Sequence, residues 1–184
     1  MTYKVLDNAL PEHLCVMTHR FAESSDQWHN MGSDLIKEEV LKDHSTFPIM
    51  PVVKDNQFLQ IHPLAGFYMC ISQLVAEQSA KLWGYKSYNT DLQRVHFVAH
   101  RAGESGTVVP HRDYYGDHFS AVLQLSTTDW NPDWGGSTFV GDDEIPFVKN
   151  RLITFQSDVE HYGTPPNPNC PQTRIVLNVI FRIN

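Results

Sequence analysis

Cysteine is scarce in this chain: 184 residues hold only Cys15, Cys70 and Cys170, far apart and with no CxxC pair. That argues against a disulfide framework and against a cysteine-rich zinc site. Reduced thiols, as in a cytosolic protein, are the expectation. Long apolar runs are missing too. No stretch is long enough to cross a bilayer, and Met1 to Val5 lack the apolar core of a secretory signal. Basic charge is short, with 14 lysines and arginines against 21 aspartates and glutamates, a net charge of -7. A general nucleic-acid binder would show a basic face instead. Repeats and low-complexity tracts are lacking. These absences lead to the expectation of a soluble, cytoplasmic protein that engages neither membrane nor nucleic acid.

What is present is enough to build a core. Hydrophobic residues make up 41% of the chain, which fits one globular domain over 1–184. Residues 2–6 read as a short strand. Pro11-Glu12 opens a helical stretch to about Ala22, with Leu14, Met17, Thr18 and Phe21 at helical spacing. Ser33 to Leu41 reads as a second helix with Ser33 as its N-cap. Leu64 to Trp83 is the best helical pattern, with Leu64, Phe67, Tyr68, Ile71, Leu74, Val75 and Leu82 on one side and Gly84 as the stop.

After Asn89 the period changes from 3.6 to 2. Strands are expected at 95–99, 119–125, 137–140, 145–148, 151–155 and 173–182, separated by Gly, Pro, Asn and Asp turns. Many short strands without intervening helices point to an antiparallel jelly roll. The fold class is therefore α+β, with a mostly helical support region over 1–89 and a β core over 90–184.

Ten histidines are many for this length, so no single one carries weight. The stretch that stands out is Pro110-His111-Arg112-Asp113, together with the distant His161. On a strand, alternation puts His111 and Asp113 on one face. With a second histidine they form the 2-His-1-carboxylate set, which holds Fe(II) and leaves open positions for substrate and O₂. An HxD alone is equally a surface turn with a local ion pair, and His161 alone could cap a turn or pair with Asp158. Arg174 adds context. It heads the run Ile175-Val-Leu-Asn-Val-Ile180, and a buried arginine needs an anion. A dicarboxylate cosubstrate would supply one through a bidentate pair.

With these residues in order, residues 90–184 resemble the Fe(II)/2-oxoglutarate-dependent dioxygenases, in particular the prolyl 4-hydroxylase-like branch. The shared order is an HxD, a Gly-Gly strand (Gly135 to Phe139), a distal histidine and a basic residue on the last strand. The resemblance implies a double-stranded β-helix with Fe(II) on His111, Asp113 and His161. It implies Arg174 as the partner of the distal 2-oxoglutarate carboxylate. It also implies an O₂-dependent C–H hydroxylation that releases succinate and CO₂, with no catalytic residue beyond the metal ligands. The substrate would be a peptidyl proline or similar residue, or else a free amino acid, small metabolite or modified base. The sequence departs from the prolyl hydroxylases at two places. Arg101 stands where a tyrosine is usual before the HxD, and Leu125 stands near a second such position. Arg174 replaces the lysine of the collagen-type enzymes.

Alternation extends the site. Arg174, Val176 and Asn178 share a side of the last strand, and Ala121, Leu123 and Leu125 share a side of an earlier one. Val176, Leu123 and Leu125 are placed against the cosubstrate, with plain core packing as the other reading. Arg101 is a candidate for a cosubstrate or substrate carboxylate, or a surface loop arginine. Tyr114 and Tyr115 form a lip that could contact substrate or shield the barrel end. His96 and His100 read as structural or solvent-facing, and the Trp130–Trp134 loop as a cap on the sheet edge. A different class also remains open: a non-catalytic jelly-roll module that binds a metal or ligand.

Overall fold

The structure is a computed structural model. It describes residues 2–25, 47–48, 53–54, 57–58, 64–85, 90–103 and 109–184. The helix expected from Ser33 to Leu41 lies outside these residues. In chain order the elements are β1 (Tyr3–Leu6), α1 (Glu12–Glu23), β2 (Phe47–Pro48), β3 (Val53–Lys54), β4 (Gln57–Phe58), α2 (Ala65–Leu82), β5 (Thr90–His100), β6 (His118–Leu125), a 3-10 turn (Pro132–Trp134), β7 (Thr138–Val140), β8 (Asp143–Ile145), β9 (Leu152–Gln156), β10 (His161–Gly163) and β11 (Arg174–Ile183). Helix α2 stops where expected. Gly84 follows its C-cap at φ 85°, a left-handed conformation that glycine adopts without penalty.

Two antiparallel sheets are formed. The larger runs β1-β9-β6-β11-β5-β3-β4, with β2 also pairing β5. The smaller runs β10-β7-β8. Together they make the α+β double-stranded β-helix that the sequence leads one to expect. The long strands β5, β6 and β11 lie side by side, and their register decides what each face carries. Leu177 sits abreast of Phe97 and Leu123, and Val179 abreast of Val95 and Ala121. This face packs on Cys15, Tyr68, Ile71 and Val75 of the helices and forms the main core. Each fully buried Leu or Phe there contributes about 1.5–3 kcal/mol.

The opposite face looks into the space between the sheets. Its apolar part is Val122, Ile153, Phe155 and Val176 from the large sheet, closed by Val140, Ile145, Phe147 and Trp130. Trp130 is thus buried inside the barrel rather than capping an edge. Its indole donates to Gly135 O (2.9 Å), and its ring lies 4.3 Å from that of Phe147. The remaining positions on this inner face are polar, and the chemistry follows from them.

One residue ties the N-terminal segment to the barrel. Asn150 is buried and left-handed at φ 59°, a conformation asparagine tolerates better than most residues. Its Oδ1 accepts from Leu10 N (3.0 Å) and its Nδ2 donates to Leu10 O (2.7 Å). Its own carbonyl accepts from Ala9 N (3.0 Å). Replacing it strands a buried donor and acceptor, each worth about 1–3 kcal/mol. Asn150→Ala is expected to lower unfolding stability by about 3 kcal/mol in chemical denaturation, with an unchanged denaturant slope.

Candidate metal centre

His111 and His161 face each other across an isolated antiparallel bridge. His111 N donates to His161 O (3.1 Å) and His161 N donates to His111 O (2.9 Å). The HxD stretch is therefore not part of a long strand. It is held by this bridge and by Asp113 N donating to Ser157 O (3.0 Å). The backbone pairing itself brings the two rings together, with centroids 4.5 Å apart. Asp113 joins them, with His161 Nε2 at 3.4 Å and His111 Nε2 at 3.9 Å from its carboxylate oxygens. The ligand atoms of all three lie within 4.8 Å of one another. Among the described residues this is the one group of three or more such side chains close enough to hold a metal ion.

The surroundings prepare these atoms for a cation. His111 Nδ1 lies 3.2 Å from Val109 O, and His161 Nδ1 lies 3.0 Å from Val159 O. In both cases the carbonyl two residues upstream requires Nδ1 to carry the hydrogen, which leaves Nε2 with its lone pair toward the cluster. Ser120 Oγ donates to Asp113 Oδ2 (2.7 Å) and is itself 2.8 Å from Ser157 Oγ. Burial pushes the Asp113 carboxyl up, but the adjacent His161 ring and the hydrogen bond from Ser120 outweigh it and hold it below the usual carboxylate range. Burial, then the neighbouring His161, pushes His111 down. A carboxylate and neutral imidazoles are the forms a divalent metal needs.

The inner face of the large sheet carries a ladder of side chains toward this cluster. Arg174 is abreast of His100. Next come Val98, Val176 and Gln124, then His96, Asn178 and Val122, then Arg94, Ile180 and Ser120. Arg174 is 2% exposed. Its Nε donates to Gly136 O (2.7 Å) and its Nη2 to Thr138 Oγ1 (3.0 Å). Among the described residues no carboxylate pairs with it, and three of its five N–H groups have no such bond. Burial lowers it to about 10, so it is charged at neutral pH. A buried guanidinium with unspent donors suits one carboxylate of a dicarboxylic acid. The donor set of two imidazoles and a carboxylate suits Fe(II). The residues present thus fit both groups.

Glycines make the arginine's slot. A Cβ on Gly163 would come within 2.7 Å of Arg174 Nη2, and one on Gly136 within 3.3 Å of its Cδ.

The sequence-derived residues divide between the two faces. Val176 lies on the inner face. Leu123 and Leu125 do not: they belong to the helix-side core, so their placement against the cosubstrate is corrected. Both faces of β6 are buried, and apolarity therefore does not mark the inner one. Its polar residues do, since Ser120 holds Asp113 and Gln124 Nε2 is 3.5 Å from Thr138 Oγ1. Neither was singled out from sequence, although polar residues on one phase of an otherwise apolar strand were the available signal. Arg101 is exposed just past β5, and the position abreast of Arg174 is taken by His100. His96 and His100 are buried and inward, not solvent-facing. His96 Nε2 lies 3.2 Å from Asn178 Nδ2. Tyr114 stacks on His118 (centroids 5.0 Å, 23°), while Tyr115 is 78% exposed.

The slot yields a test. Gly163→Ala is expected to cost about 1–3 kcal/mol in thermal or chemical unfolding, as overpacking does. In an Arg174→Met background the same change should cost less, and the double-mutant cycle reads the coupling.

Comparison with known proteins adds independent weight. Residues 95–182 match the family model described as 2OG-Fe(II) oxygenase superfamily. No curated protein matches in sequence. Among solved structures, a Pseudomonas putida prolyl-4-hydroxylase superposes with a TM-score of 0.63 at 18% identity, covering 100% of this chain and 93% of that one. A Trichoplax adhaerens prolyl hydroxylase, in complex with a peptide fragment of the hypoxia inducible factor oxygen degradation domain, gives 0.63 at 16% over 98% and 83%. The epimerase SnoN of nogalamycin biosynthesis, in complex with Fe3+, alpha ketoglutarate and nogalamycin RO, gives 0.63 at 13% over 98% and 78%. No helix among the described residues is long and apolar enough to cross a membrane. Residues 95–182 thus match the 2OG-Fe(II) oxygenase superfamily, whose cofactors are Fe(II), 2-oxoglutarate and O₂, and the fold is shared with prolyl hydroxylases of known structure.

Proposed function

We propose that this protein hydroxylates an aliphatic C–H bond, with Fe(II) held by His111, Asp113 and His161 and 2-oxoglutarate held by Arg174. The observation that carries the proposal is the presence of two sites along the inner side of the large sheet. One is a triad of ligand atoms within 4.8 Å of each other, and the other is a buried guanidinium without a counter-ion among the described residues. When bound, the iron and its cosubstrate supply the oxidising chemistry, with release of succinate and CO₂.

The chain's own residues have narrower tasks. The two Nδ1–H···O=C bonds fix the imidazole tautomers. Ser120 orients Asp113 and neutralises the lone pair that a ligand position leaves over. Arg174, braced by Gly136 O and Thr138 Oγ1, fixes the far carboxylate of the cosubstrate and so the angle at which its other end approaches. No side chain is needed as a general base.

For the substrate, a peptidyl proline or similar residue is the first reading. It is supported by the likeness of fold to prolyl hydroxylases, one of them in complex with a peptide. Tyr114 and the exposed Tyr115 would then contact the chain of the substrate. A second reading, a free amino acid or other small molecule, is favoured by the basic residue at the end of the inner ladder, Arg94.

The test is anaerobic addition of Fe(II) and 2-oxoglutarate. A visible charge-transfer absorption is expected in the wild type and is lost in His161→Ala. Under air, succinate should accumulate faster with a proline-containing peptide or a free amino acid than without. A folded wild type with bound iron and no absorption contradicts the proposal.

A further inference from the structure

The inner ladder has a second arginine, at the end opposite Arg174. Arg94 lies in the row with Ile180 and Ser120, and Ser120 is the residue bonded to Asp113. Ile180 is the partner of both, so Arg94 and Ser120 are two strands apart, about 10 Å, on the same face. Arg94 is half-buried, and among the described residues no carboxylate or hydrogen-bond acceptor pairs with it. Burial first, then the charge of Arg94, lowers the basicity of His96 on the same face. The nearby acidic residue of β5, Asp91, is engaged elsewhere, with Arg182 (3.6 Å) and Asn184 (2.7 Å).

A further feature lies on the same side. His118 is one row beyond Ser120 on β6, and its buried Nδ1 has no hydrogen-bond partner. Tyr114 stacks on its ring. The side of the metal centre away from Arg174 thus carries a guanidinium and an imidazole nitrogen, both without a hydrogen-bond partner among the described residues, and an aromatic surface.

We infer that Arg94 anchors the carboxylate of the primary substrate, and that this substrate is a small carboxylic acid such as a free amino acid. The spacing sets the size. With the guanidinium reaching inward from two strands away, its partner carboxylate lies only a few bonds from a carbon at the metal centre. An internal proline of a peptide has no carboxylate at that distance from its reacting carbon. The inference rests on the metal-centre reading given above and decides between its two substrate classes.

The experiment uses Fe(II)- and 2-oxoglutarate-loaded protein with matched probes: the free amino acids, their carboxamides, and N-acetylated, C-amidated proline peptides. Succinate release and the anaerobic perturbation of the charge-transfer absorption are read. At least one free acid is expected to stimulate turnover where its amide does not. Arg94→Gln should raise the KM for that acid about 10–100-fold, the loss of one charged hydrogen-bonded contact. It should leave 2-oxoglutarate binding in the absence of substrate unchanged, and Arg94→Lys should recover part of the loss. The inference is overturned if blocked peptides stimulate as well as free acids, if no free acid stimulates, or if Arg94→Gln leaves the KM unaltered. Absence of the absorption in the wild type is a different failure, that of the metal-centre reading itself.

Discussion

The structure depends on how a positive charge is kept between two sheets. Arg174 begins the central strand of the large sheet, fully enclosed, and remains charged at neutral pH. Burying an unpaired charge is costly, by far more than a single hydrogen bond returns. Two neutral acceptors, Gly136 O and Thr138 Oγ1, offset part of that cost. Glycines at 136 and 163 give up side chains to make room. What remains unspent is a set of donors aimed into the barrel, which an anionic ligand can use.

The same division of faces explains the rest. On β5, β6 and β11 one phase of alternation is apolar and packs on the helices. The other phase carries Arg94, His96, His100, Ser120, Gln124, Arg174 and Asn178, with a few aliphatic side chains between. The helices supply the stability that lets the inner face be polar. The ligand triad is then set by the backbone, since a hydrogen-bonded bridge fixes His111 against His161 and Ser120 reaches up from the sheet to Asp113. His96 shows what enclosure does to a group in this space: burial, then the charge of Arg94, pushes it down to about 3, so it stays neutral.

Much of this was legible because it is local. The helices at 12–23 and 65–82 and the long strands follow from period and punctuation. The triad was visible as an HxD with a distal histidine, and Arg174 as a cation in an apolar run. The reason first given for convergence was different from the one found: the two residues do not alternate along a strand but hang from a bridge. Strand β10 was missed because three residues show no pattern. Leu123 and Leu125 were misplaced because apolar alternation does not tell which of two buried faces is the inner one. Two-sided burial erases that information from apolar residues and keeps it only in polar ones such as Ser120 and Gln124.

The most direct measurement is calorimetric binding of two keto acids to metal-loaded protein, 2-oxoglutarate and 2-oxobutyrate, which lacks the distal carboxylate. In the wild type 2-oxoglutarate should bind far more tightly than 2-oxobutyrate. In Arg174→Met the two should bind alike, at the weaker level, with metal affinity retained. If Arg174→Met still binds 2-oxoglutarate as tightly as the wild type does, the buried guanidinium has another purpose and the account of the inner face fails.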